Sequence, residues 1–207
     1  MASPFSNQGN SIETNLNSAN PTSNYGASVE MQVGEWNAGT AVARGLIKWD
    51  LSSIPANATI VSAILSLYVK TDLSSNTRTL RAYRVLRNWT EGNSVAEYNA
   101  TWNEYTTDSA WGTAGCGNTT SDREATDIGS VSVLHNESTG TEKQISLTAS
   151  KVQEWINGTL TNNGVLLQVD TETDDLWSYD THEGTTANLR PKLVITYTVP
   201  SGFFALL

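Results

Sequence analysis

The stretch TIVSAILSLYVK, residues 59–70, constrains this chain more than any other. Val61, Ala63, Leu65, Leu67 and Val69 alternate with Ser62, Ser66 and Lys70. A period of two marks a strand with one face buried, because a helix would need a period of 3.6. Ile64 and Tyr68 interrupt the polar side, so the second face is covered in part as well. Similar short runs follow this lead: RGLIKWDL (44–51), LRAYRVLRNW (80–89), IGSVSVL (128–134), EKQISLT (142–148), VLLQVDT (165–171), LWSYD (176–180) and KLVITYT (192–198). About a third of the chain is Ser, Thr and Asn, whose side chains compete for backbone hydrogen bonds and disfavour helix. One segment differs. Val152, Trp155 and Ile156 fall at helical spacing, with Thr148 or Ser150 to cap the start and Gly158 to end it. The pattern predicts an all-β fold, a jelly-roll-type β-sandwich with one short helix near 149–157.

No linker divides the 207 residues, so the chain reads as one sandwich domain over 29–199. Residues 1–28 read as a polar N-terminal arm with one short strand near Ile12–Leu16. Residues 200–207 read as an apolar C-terminal tip. Phe203, Phe204, Leu206 and Leu207 are the candidate assembly contact there, docking either on the fold itself or on a neighbouring subunit. The single Cys116 excludes an intrachain disulfide framework. A formal net charge of −9 argues against nucleic acid and anionic membrane as partners, since phosphate binding runs on clustered Lys and Arg. The start, MASPFSNQGNSIETN, has neither the basic nor the apolar region of a signal peptide, and no apolar run has the length of a membrane span.

Chemistry-bearing motifs are sparse. There is no nucleophile elbow, CxxC, HExxH or phosphate-cradling glycine loop. His182 stands beside Asp180 and Glu183, which reads either as half a metal site or as a solvated loop histidine, and the second reading is favoured. In DTETDDLWSYD, Asp170, Asp174, Asp175 and Asp180 offer oxygens for a structural calcium ion, although the spacing matches no EF-hand loop. Arg81, Tyr83 and Arg87 share parity on the strand 80–89. Such a stripe could receive an anionic polysaccharide, but the favoured reading is arginines that pair with nearby acids under a long loop. That loop, 89–117, holds Trp89, Trp102 and Trp111, either to grip a sugar or to pin the loop to the core.

The order RGLIKWDLSSIPANATIVSAILSLYV, YRVLRNWTEGN, TWNEY with AWGTAGC, VQEWINGTLTNNGVLLQ and HEGTTANLRPKLVITYT resembles the DNRLRE-type domain, also grouped as carbohydrate-binding module family 96. The resemblance spans about residues 25–198. It implies a non-catalytic β-sandwich, with acidic polysaccharide such as alginate as the ligand of some members. It also assigns Trp89, Trp102 and Trp111 to the recurring frame, as pins of the loop. Trp36 and Trp177 lie outside that frame and are the candidate glycan-stacking rings, with Arg81, Tyr83 and Arg87 beside them. A stand-alone domain without a leader is the setting of virion surface proteins of tailed phages. The expected role is therefore structural and adhesive, as a capsid decoration, head fibre or tail protein held by its terminal arms to copies of itself or to other virion proteins. The alternative is a module of a secreted polysaccharide-degrading system. Both place the chain on a virion surface or outside a cell.

Overall fold

The computed structural model describes residues 2–36, 39, 41–94 and 99–200. The strands are β1 (Ala2–Gln8), β2 (Ser11–Asn17), β3 (Glu30–Trp36), β4 (Ala41–Trp49), β5 (Thr59–Asp72), β6 (Arg78–Arg84), β7 (Glu104–Thr106), β8 (Ser109–Ala110) and β9 (Gly129–Val133). They continue as β10 (Glu142–Leu147), β11 (Val165–Val169), β12 (Leu176–Asp180) and β13 (Lys192–Thr198), with one helix α1 (Ala149–Ile156) before β11. Every strand pairing is antiparallel.

The 14-residue β5 joins two layers. Its first part pairs with β13 and β10, and β1 extends that layer beyond β13. Its last residues, Val69, Thr71 and Asp72, pair instead with β12. From β12 the second layer runs through β3, β4, β11 and β6 to β9. The register shifts between Ser178 and Tyr179, where β5 passes from one layer to the other. A bulge of this kind adds local twist, which lets the sheet curl. Because β5 alternates, Ala63, Leu65, Leu67 and Val69 all enter the core. There they meet Met31, Val33, Ile47 and Leu80 from the second layer and Leu193 and Ile195 from the first. The all-β sandwich is what the period-two pattern predicts. Helix α1 lays Val152, Trp155 and Ile156 onto this core, as their spacing demands. Its first turn differs in one detail: Thr148 occupies the cap but makes no capping bond, and its hydroxyl donates to Ile128 O instead.

A second apolar cluster lies under the long loop. Trp89, Trp111, Ala100 and Cys116 pack with Leu16, Leu46, Val85 and Leu166, and Trp102 and Tyr105 close over them. The indole of Trp89 donates to Asn163 O at 2.8 Å and that of Trp111 to Thr101 O at 2.9 Å. These rings are pins, as the resemblance implied. Gly115 sits at φ +72°, and a Cβ there would fall 2.6 Å from the Trp102 ring, so only glycine lets the loop close over that indole.

The N-terminal segment corrects the sequence reading. Residues 2–17 are not an arm. β1 pairs with β13 from Ala2↔Thr198 to Gln8↔Lys192, and β2 pairs with β4 from Ser11↔Trp49 to Asn17↔Ala43. The short strand expected near Ile12–Leu16 is β2, which buries polar side chains, Glu13, Thr14 and Asn15 among them, whereas the hydrophobic pattern missed β1 because it is a polar edge strand.

Candidate functional site

The predicted cationic stripe does not face solvent as one surface. β6 ends at Arg84, so Arg87 lies beyond the strand, and the chain there folds under the loop. Arg81 pairs with Asp127 at 2.7 Å. The guanidinium of Arg123 stacks 4.1 Å from the Tyr83 ring. Arg87 lies 3.7 Å from Asp122 and over the Tyr105 ring. The reading favoured for these arginines, pairing with acids, is the observed one.

Trp177 is fully buried, which overturns its candidacy as a stacking ring. It pairs with Val33 across the sheet and so shares that residue's core face, and its indole donates to Leu134 O at 3.1 Å. The whole of β12 is buried because it has a strand on each side and both faces covered. That removes the alternation that would have told its faces apart.

The four aspartates are not brought together. Asp175 accepts the N–H groups of Ser75 (2.7 Å) and Asn76 (2.8 Å) and pairs with Arg78 (2.6 Å). Asp180 pairs with Lys70, Asp170 accepts the Thr79 N–H, and the N–H of Asp174 donates to Glu35. The carboxylates of Asp170, Asp175 and Asp180 are spent on the fold, and Asp174 is exposed. Phe203, Phe204, Leu206 and Leu207 lie outside the described residues.

Trp36, at the end of β3, is 44 % exposed and borders a hollow of about 230 Å³. Glu30 and Gln32 of β3, Ser178 of β12, Thr71 of β5 and Leu73 just after it line it, with Leu176 of β12. The cross-strand register accounts for the grouping, since Ser178 stands opposite both Gln32 and Thr71. Glu30 accepts the Ser178 hydroxyl at 3.0 Å. A larger cleft of about 630 Å³ runs between Lys48, Asp50 and Pro55 on one side and α1 on the other. Its two indoles, Trp49 and Trp155, are buried in the wall and present no face to a ligand.

One group of titratable side chains among the described residues was half visible in sequence. His182, in the turn after β12, meets Glu13 of β2 and Glu183. Its Nδ1 is 2.6 Å from Glu13 Oε2 and 3.7 Å from Glu91 Oε1, and its Nε2 is 2.9 Å from Glu183 Oε1. Glu91, from the loop after β6, accepts the Glu13 N–H at 2.6 Å. Ser11 donates its hydroxyl to Glu13. Burial pushes the Glu91 carboxyl up to about 7, with Glu13 and Glu183 adding to it, while the Glu13 N–H and His182 pull the other way. The bond to Glu13 raises His182 against burial, and burial raises Glu183. Ligand atoms of Glu13, His182 and Glu183 all lie within 4.8 Å of one another. The pair His182–Glu183 was the visible signal. Glu13 and Glu91 are remote in sequence, and Glu13 sat in the segment read as an arm.

Residues 13–195 match the family model described as the disaggregatase related repeat domain. The chain belongs to that family. The match covers β2 to β13, and with them the Trp36 hollow and every member of the histidine–glutamate group. The disaggregatase related repeat domain is the grouping found, and the match does not single out the DNRLRE-type or carbohydrate-binding family. No curated protein matches the chain.

Proposed function

We propose that this chain is a non-catalytic, adhesive β-sandwich domain, displayed on an extracellular or virion surface, that contacts polysaccharide through the hollow beside Trp36. The observation that carries the reading is an indole left 44 % exposed next to a strand-built depression lined by both polar and apolar side chains. An indole face stacks on the C–H face of a sugar ring, and Gln32, Thr71 and Ser178 supply amide and hydroxyl groups for sugar hydroxyls. Among the described residues the lining carries Glu30 and neither lysine nor arginine, which favours neutral sugars over the acidic polysaccharide that the resemblance implied. Glycoside hydrolysis takes two carboxylates flanking the scissile bond, and this lining offers one, already bonded to Ser178. Membership of a repeat-domain family supports a modular role over a self-contained catalytic one.

Tryptophan fluorescence of the purified chain, titrated with neutral and acidic polysaccharides, tests this. A saturable change with a neutral glycan, lost in Trp36→Ala with the melting temperature unchanged, is the expected result. A flat response, or one that survives the substitution, sinks the reading, and release of sugar products would replace it with an enzymatic one.

A further inference from the structure

We propose that Glu13, Glu91, His182 and Glu183 form a binding site for a divalent first-row transition cation, with zinc as the representative. The site joins three parts of the chain: β2, the loop after β6 and the turn after β12.

The first argument is charge. Three carboxylates converge on one imidazole, and the Glu13 side chain is wholly shielded from solvent. Among the described residues, no lysine or arginine forms an ion pair with any of the three. Buried carboxylates are ordinarily paired or bound to metal, because a lone buried charge is costly. Asp175 and Asp180 show the contrast, since each is paired with a lysine or arginine, Arg78 and Lys70.

The second argument is an unused ligand atom. Glu183 Oε2 is buried and has no hydrogen-bond partner. Such an atom loses its water without recompense, and a metal ion restores a partner.

The third is geometry and ligand type. Around a tetrahedral zinc with bonds of about 2.0–2.1 Å, ligand atoms stand roughly 3.3 Å apart. Glu13, His182 and Glu183 present theirs within 4.8 Å of one another, and since Glu13 now meets Nδ1 and Glu183 meets Nε2, one carboxylate has to swing to the other's side of the ring to share an ion with it. Glu91 Oε1, 3.7 Å from the imidazole, supplies the fourth. One imidazole nitrogen with three carboxylate oxygens suits zinc or manganese better than calcium, which prefers oxygen alone. Ser11 would hold Glu13 in place through its hydroxyl. In a chain with one cysteine, the ion would provide the cross-link that a disulfide cannot.

The inference is independent of glycan binding, and its test contains no glycan. The intact chain, stripped with a chelator and dialysed, is titrated with zinc chloride by calorimetry and with cobalt chloride by visible absorption. One equivalent of zinc should bind and raise the melting temperature, and cobalt should give the intense bands of a four-coordinate site. His182→Gln and Glu183→Gln, both at part-exposed positions, should each weaken zinc by more than the roughly 10- to 100-fold that loss of an outer partner costs. Three results would overturn the site: no zinc binding, zinc binding that both variants retain, or a preference for calcium that His182→Gln leaves intact. If a variant fails to fold, the cobalt spectrum of the parent chain decides alone, since six-coordinate, weak bands exclude this ligand set.

Discussion

Asp122 is the residue around which the long loop is tied. Its carboxylate accepts the N–H groups of Gly112 (2.8 Å), Thr113 (3.0 Å) and Asn118 (3.0 Å) and the Ser121 hydroxyl (3.0 Å). Burial opposes its charge, but these donors outweigh burial and hold the carboxyl below its usual value. Asp175 is held down in the same way, against burial, by Ser75, Asn76 and Arg78. A carboxyl depressed in the folded state binds fewer protons there than in the unfolded chain. Its stabilisation is therefore complete above the unfolded value of 3.8 and is lost as the pH falls through the lower folded value. Urea unfolding across a pH series should show the contribution of these two carboxylates declining below about pH 4. Asp122→Asn, which turns an amide NH2 toward backbone donors, should cost about 1–3 kcal/mol at pH 7 and make the acid decline shallower. An unchanged acid decline would place the lost protons elsewhere. At this scale the sequence hides what decides a residue's role. Trp36 and Trp177 both end up beside strand-rich polar segments, yet one is exposed and the other buried because only Trp177 shares the core face of Val33.

At the scale of elements, the loop 89–117 behaves as part of the fold because its indoles are anchored at both ends of the ring system, apolar and polar. Trp111 is buried, bonds Thr101 O and packs 5.6 Å from the Tyr105 ring. Trp111→Ala should cost about 3–5 kcal/mol, and limited proteolysis should find new cuts within 89–117 before any in β5. A loop that stays resistant would mean that Trp89 and Trp102 suffice. Legibility varied for physical reasons. β5 was evident because its alternation repeats over Ala63–Val69 with one face in the core, although Val61, read on that face, is exposed where the register against β13 shifts and Ile60 enters the core instead. β2 was legible only as a short strand inside an arm, because it buries polar groups that replace water with protein partners: the Asn15 side chain accepts the Gln32 N–H at 2.8 Å. Glu13 is buried for the same kind of reason, and so the histidine–glutamate group stayed half hidden. Period-two reading finds strands whose inner face is apolar, and this fold spends one strand on polar contacts instead.

At the scale of the molecule, β1 closes one edge of the first layer. Pro4 stands in that edge opposite Thr196, and a proline lacks the N–H with which a further strand could pair. β13, KLVITYT, has no such block. Deleting residues 2–8 should leave the two cores in place while baring β13 as an unprotected edge. Size exclusion should then show self-association that grows with concentration, despite the net charge of −9. A deletion variant that runs as a monomer would mean that β1 contributes pairing but no protection.

The same β1–β13 pairing fixes how the fold would bear load. Ala2 stands opposite Thr198, so both ends of the fold leave from one side of one edge. Tension applied between those ends would open the seven facing positions in turn, like a zip, instead of shearing them all at once. Domains strung in series through these points would hang side by side from their tether, each yielding early under pull. A firm grip on a surface would have to be carried through the sheet faces, leaving the tethered edge to act as a compliant hinge.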